Sequence, residues 1–586
     1  ILCPVGAPSA GQPTRLNPTA VALSADGALA YVALTGSEAQ PGRHVAVVEL
    51  AAGRVVGRVE VGPRPVGLAL HPSGSWLVVA SSYARFLTLV DTTGGAAPTR
   101  IPLGFYAEDL AFTPDGATLL VADRQHDGLW LLPFTGPESG EPRFVPLGNN
   151  PSQVDVCPDG RVALVTLMGE GRVAKVDLQT SAVAWLDVFA PPNDVLCLGA
   201  TAVVATLGPG SGHPARGTPE CESLQARFGA ENMLCDDTAA LRFGDIQNEL
   251  ALVDVSTWQI TQRYTSDTAE QSRLDPVGAT PPERMRVGGA FPRRLAPAAD
   301  GLWVTYAASG QVQHFDRDLS PGPVFEVGFA PDGLALSAAG TLVVANRLSE
   351  DLSLVEVATG GERRVPVGNT DPPFPATDEE VGELFFFSAW FSSDGDGSCG
   401  HCHPDATSDG KGWSVATVPL GATRQVPVTR NLGATLPLLL EGTQDQNGFN
   451  LEMEDLSPRL DYDPDPSQDY ERGRAARDAA FRSISQARLG RAIGFDEMVV
   501  LVGRFLVHEP RLLPNPHAPD APEAARGRQL YESADVACAA CHPVGPFTGN
   551  QVFAEVIATR SGDEPNTSIP ESIALDFRRA RRGVFD

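Results

Sequence analysis

From residue 17 to about residue 367 the apolar positions fall in short runs separated by polar turn residues, and the pattern recurs. Val21-Ala22-Leu23-Ser24-Ala25-Asp26-Gly27 is repeated as Leu68-Ala69-Leu70-His71-Pro72-Ser73-Gly74. It returns as Leu110-Ala111-Phe112-Thr113-Pro114-Asp115-Gly116 and as Val154-Asp155-Val156-Cys157-Pro158-Asp159-Gly160. After each turn comes a second apolar strand, as in Leu77-Val78-Val79-Ala80 and Leu119-Leu120-Val121-Ala122. A third strand ending near Val-Asp and a fourth ending near Val-Gly complete the unit. Weaker copies turn at Gly199, Gly301 and Gly340. The turn glycines predict hairpins with positive φ. A four-stranded unit at a period of about forty residues is the signature of a β-propeller blade. Seven turns predict seven blades, with an insertion from about residue 208 to 244 in the one long gap.

The pattern then changes period. Residues 368–376 form a Pro-rich linker. Thr377-Asp378-Glu379-Glu380 reads as a capping box opening a helix that runs through Leu384, Phe385, Phe386 and Trp390. A similar helix start lies at residues 520–523, before Leu530 and Tyr531. Tyr470 to Ala487 and Phe495 to His508 have the spacing of amphipathic helices. The fold class read from the chain is therefore multidomain: an all-β seven-bladed propeller over residues 17–367, then a mostly α-helical domain over residues 377–586. Residues 1–16 are an N-terminal segment.

Composition sets limits on partners. The 586 residues exceed one ordinary core. With 44 basic and 72 acidic residues the formal charge is −28. That balance argues against nucleic acid and anionic membrane surfaces, whose phosphates need clustered Lys and Arg. No apolar run is long enough to span a bilayer. The chain starts at Ile1 rather than Met, which reads as a signal peptide already removed. Cys3 is a candidate lipid-bearing cysteine, although Leu2 is larger than the small residue expected before one.

The chemistry lies in two pentads, Cys399-Gly400-His401-Cys402-His403 and Cys538-Ala539-Ala540-Cys541-His542. Two thiols three residues apart can bond the two vinyl groups of one haem, and the histidine that follows can ligate its iron. A zinc knuckle would need paired motifs converging on one metal, and a redox dithiol has no use for the histidine. The predicted cofactors are two covalently attached c-type haems. They are held through Cys399, Cys402, Cys538 and Cys541, with His403 and His542 as proximal iron ligands. Five of the nine cysteines remain. Cys221 and Cys235 bracket the insertion as a candidate disulfide loop. Cys157 and Cys197 occupy similar places in successive repeats, and either pair across neighbouring blades or are small buried core residues. Asp394 and Asp396, in a Gly-rich run, offer oxygens to Ca²⁺ or simply form a turn.

The repeats resemble YVTN-type propellers, on stretches such as Pro72-Ser73-Gly74-Ser75-Trp76-Leu77-Val78-Val79-Ala80. Residues 377–586 resemble the bacterial di-haem cytochrome c peroxidase and MauG family, on the two pentads and on Phe547-Thr548-Gly549-Asn550. The resemblance implies a catalytic haem on the first pentad and an electron-accepting haem on the second. Asn450-Leu451-Glu452-Met453 resembles the family segment whose glutamate stands over the peroxidatic iron, which implies Glu452 as acid–base residue; the competing reading is a solvated loop carboxylate. Where relatives carry a tryptophan between the haems, this chain has Leu440, and Trp413 is the alternative relay. His508 and His517 are spare candidate iron ligands. Beyond His542 there is no Met, His, Lys or Tyr, and residues 581–586 read as the start of a segment that continues in relatives.

The implied function is a periplasmic or extracellular peroxidase-like oxidoreductase. It would take electrons from a small redox protein to reduce peroxide or oxidise a partner protein. The alternative is an electron-transfer cytochrome without peroxidase chemistry whose propeller docks a partner. A ligand-binding propeller is a third reading, but no cluster of His or acidic residues at one repeated blade position supports it.

Overall fold

The computed structural model describes residues 14–37, 40–137, 140–188, 191–207, 248–266, 289–391, 397–403, 412–413, 424–425, 470–508 and 522–533. Strands β1–β28, numbered in chain order, form seven four-stranded antiparallel sheets, each a meander of consecutive strands. The first strand of each sheet lines the centre of the ring: β1 (Pro18–Leu23), β5 (Pro65–Leu70), β9 (Ala107–Phe112), β13 (Pro151–Val156), β17 (Pro192–Cys197), β21 (Pro292–Pro297) and β25 (Pro331–Leu336). Strands β1–β28 thus form a seven-bladed propeller.

The strand after each turn is apolar on both faces because both faces are buried. In β6 (Trp76–Ser81), Leu77 and Val79 pack against blade 1, while Val78 and Ala80 pack against blade 3. Side chains alternate along a strand, so every second strand serves two layers between blades. The fourth strands, such as β28 (Gly361–Pro366), are largely exposed and carry polar residues such as Glu362, Arg363 and Arg364.

The turn glycines hold positive φ at Gly27, Gly74, Gly116, Gly160, Gly199 and Gly340. The adjoining Asp26, Asp115 and Asp159 accept the backbone N–H two residues on, which fixes the turn. Gly301 departs from the expectation. It begins a strand without positive φ, and it is needed because a Cβ there would lie 1.9 Å from the Phe315 carbonyl oxygen.

Among the described strands none is exchanged between the first and last blades. Closure rests on packing of Ala30, Val32 and Leu34 with Val343, Leu354 and Val365. It rests also on Glu350, whose buried carboxylate accepts N–H groups from Leu16 (2.7 Å), Asn17 (2.6 Å) and Asn369 (2.8 Å).

Helices follow: α1 (Asp378–Phe387), α2 (Cys399–Cys402), α3 (Tyr470–Leu489), α4 (Phe495–His508) and α5 (Pro522–Glu532). Helices α1, α3 and α4 share a core of Val381, Phe385, Phe481, Ile493, Val502 and Phe505. Thr377 caps α1 by accepting the Glu380 N–H. The Glu380 carboxylate accepts the Ala376 N–H and takes both ends of the Arg15 guanidinium at 2.7 and 2.9 Å. Arg15 also donates to the Asn369 and Pro372 carbonyls, so the segment before the first blade clasps linker and helix together. These elements seat on the propeller face where the central strands begin. There Trp390 donates to the Ser309 carbonyl, and Ala389 packs with Phe291 and Ala308. Strands β18 (Thr201–Thr206) and β19 (Glu249–Asp254) join across the expected insertion, which lies outside the described residues.

Candidate functional site

The first pentad forms a single turn against this face. Ser398 precedes α2, and the His403 N–H returns to the Cys399 carbonyl at 3.0 Å. Cys399 is a free cysteine. Its residue is partly exposed, but the thiol lies beside the apolar core of α1, α3 and α4, and burial pushes it up to about 11. The His403 ring centroid is 6.0 Å from that of Phe386, which with Phe387 and Phe505 forms an aromatic cluster.

Between the cysteines, His401 has no solvent exposure. Its Nδ1 accepts the Ser398 backbone N–H at 2.9 Å, so Nε2 carries the proton and donates to Asn248 Oδ1 at 3.0 Å. Phe291 meets the ring edge-on at 5.0 Å. Burial pushes His401 down to about 3, so it is neutral. Both its nitrogens are hydrogen-bonded within the protein. Phe291, Arg293 and Arg347 of the propeller face Phe387, Ser398 and Gly400 across a small cleft, and the Arg347 guanidinium lies 4.8 Å over the Phe387 ring.

A free thiol, a histidine on the same turn and an adjacent aromatic wall fit covalent attachment of a flat apolar macrocycle. Cys402 lies on this turn, but its side chain is outside the described residues. So is the whole second pentad, with Cys538, Cys541 and His542. Glu452, Asp394, Asp396, Leu440, His517, Cys3, Cys221 and Cys235 fall outside them as well. Trp413 is in a two-residue strand and His508 ends α4.

Two features were not foreseen from the sequence. The contact of His401 with Asn248 spans 153 positions, and nothing local signals it. The second feature is a set of buried carboxylates at the centre of the propeller. Asp109 and Asp194 both occupy the third place of their central strands, as does Arg294, and Asp155 lies two places further along its own. Each carboxylate accepts an N–H from the next blade: Asp109 from Val154 (3.0 Å), Asp155 from Cys197 (2.7 Å) and Asp194 from Leu295 (2.8 Å). Burial pushes Asp109 and Asp155 up to about 7 and Asp194 up to about 6.

Cys157 and Cys197 are joined in a disulfide, with Cα atoms 5.0 Å apart, between blades 4 and 5. Of the two readings left open by sequence, pairing is correct, although both residues are also buried. No described helix is long and apolar enough to cross a membrane.

No family model matches the chain, and no curated protein matches it in sequence. Among solved structures it is similar to Kuenenia stuttgartiensis hydrazine synthase, at 18% identity and TM-score 0.45, over 59% of this chain and 96% of that one. It is similar to the dihydro-heme d1 dehydrogenase NirN, at 14% identity and TM-score 0.38, over 60% of this chain and 66% of that one. Catalytically inactive virginiamycin B lyase from Staphylococcus aureus is a third, at 11% identity and TM-score 0.39, over 58% and 94%.

Proposed function

We propose that this protein is a di-haem c-type cytochrome borne on a propeller, a peroxidase-like oxidoreductase of an oxidising, extracytoplasmic compartment. The observation that carries the reading is the first pentad, with its free Cys399 thiol and its His403 on one turn beside the Phe386 cluster. The Cys157–Cys197 disulfide supports the compartment, since such bonds persist where thiols are not kept reduced. Haem, when bound, supplies iron redox chemistry. The chain would hold it through Cys399, Cys402 and His403, and at the second pentad through Cys538, Cys541 and His542.

Reduction of one peroxide to two waters consumes two electrons, from a small redox protein, and two protons. Glu452 is the residue proposed to pass a proton from one peroxide oxygen to the other. Help of that kind is worth about 10²–10⁴ in rate.

Mass spectrometry of the denatured protein, made with a haem-ligation system, should show two added haems. Cys399→Ala with Cys402→Ala should remove one, and retention of both in that variant would overturn the assignment. Glu452→Gln should lower peroxide turnover by about 10²–10⁴ with haem content unchanged. Full turnover in that variant removes Glu452 from the reaction. No turnover in the wild type, with both irons low-spin in every redox state, favours the electron-transfer reading instead.

A further inference from the structure

We infer that the propeller tunes the first haem centre, and that the hydrogen bond between His401 and Asn248 is the link. The inference rests on the cytochrome reading above and goes beyond it, because it makes His401 a positioning residue rather than a spacer between the two cysteines.

The turn from Cys399 to His403 is gripped from two sides. Cys399 packs into the core of helices α1, α3 and α4, while His401 enters the propeller. The hydrogen bond reaches Asn248, immediately before β19 in blade 5. Asn248 is itself fixed, since its Oδ1 also accepts the Phe291 N–H at 2.7 Å just before blade 6. Phe291 closes the edge of the His401 ring, and no part of His401 is exposed. The contact is therefore dry and tied at its far end to two blades.

The near end is only two residues from His403. The N–H of His403 bonds the Cys399 carbonyl, so a shift of the turn's backbone moves the proximal imidazole with it. The orientation of an iron-ligating histidine and the polarity around it set the affinity of the iron for its electron. A propeller that holds this turn from behind thereby sets part of the first haem's reduction equilibrium.

The test uses the full-length holoprotein. Asn248→Ala removes the acceptor, and His401→Phe keeps ring volume against Phe291 while losing the hydrogen bonds. Haem content is read by mass. The first centre is identified in the Cys538→Ala, Cys541→Ala background, and its midpoint and electron paramagnetic resonance spectrum are followed by redox titration. Asn248→Ala and His401→Phe should each keep covalent haem and shift the first centre's reduction equilibrium by about fivefold or more. The second centre should be unmoved. The double variant Asn248→Ala, His401→Phe should shift no further than either single one. Should Asn248→Ala fail to fold, the His401→Phe variant carries the same reading. Haem retained with an unmoved first centre, or fully additive shifts, would overturn the inference alone. A wild-type protein without haem on Cys399 would overturn the cytochrome reading, and the inference with it.

Discussion

At the scale of single residues, the carboxylates in the centre of the propeller behave unlike those at its turns. Asp109 and Asp155 are held at about 7, and Asp194 at about 6, mainly because burial penalises the charged form. Arg294 works the other way on Asp109 and Asp194, favouring the ionised form. In the unfolded chain an aspartate ionises near pH 4. Between roughly pH 4 and pH 7 the native state therefore binds more protons than the unfolded one, and these groups make stability fall as pH rises through that window. Asp109→Asn and Asp155→Asn keep an oxygen for the N–H groups of Val154 and Cys197 but cannot ionise. Together they should flatten the decline in thermal midpoint between pH 5 and pH 7.5, measured by calorimetry. An unchanged slope would mean that these carboxylates are not the groups that titrate there.

At the scale of elements, the contact that decides how α1 meets the propeller comes from a residue outside both. Arg15 and Glu380 have side chains only 9% and 6% exposed, so the pair is desolvated. Breaking a buried pair by removing one partner leaves an uncompensated charge, at a cost of about 3–5 kcal/mol. Arg15→Ala should cost this much in denaturant unfolding and should open the linker around Asn369 and Pro372 to proteolysis. Wild-type stability in that variant would show that the clasp is not structural. Close approach also governs the helices. A Cβ on Gly382 would lie 2.0 Å from the Leu501 carbonyl oxygen, so α1 and α4 pack together only because that position is glycine. The amphipathic patterns that predicted α3 and α4 gave no sign of this restriction, which depends on a backbone more than a hundred residues away.

At the scale of the whole molecule, the ring closes without sharing a strand between its first and last blades. Side-chain layers and a few cross-links hold it shut. Among the described residues Cys157–Cys197 is the covalent one, with a sequence separation of 40 residues. Chain-entropy reasoning gives about 4 kcal/mol for a loop of that length. Cys157→Ser with Cys197→Ser should lower unfolding free energy by about this amount in denaturant titration, and a reductant should have no further effect on the variant. If the wild type is equally stable with and without reductant, the bond does not contribute.

Seven blades were legible in the sequence because each blade is built from local pattern. Short apolar runs, an Asp-Gly turn and a repeat near forty residues act within one stretch of chain and leave their mark there. The first pentad was legible for the same reason, since its spacing is that of a single helical turn. Gly301 shows the limit: it was read as a turn glycine, yet a carbonyl of the facing strand is what requires it. His401 with Asn248, Arg15 with Glu380, Asp109 with Val154 and the choice of pairing for Cys157 all join residues that only the closed ring brings together. Such contacts carry no period. Their partners are set by which blade lies beside which, and by what packs on the face where the central strands begin. The sequence by itself determined the strands and helices and the spacing of the first pentad. The tertiary structure alone decided that the first pentad is anchored through its inner histidine, because burial and hydrogen-bond geometry are properties of the assembled surfaces.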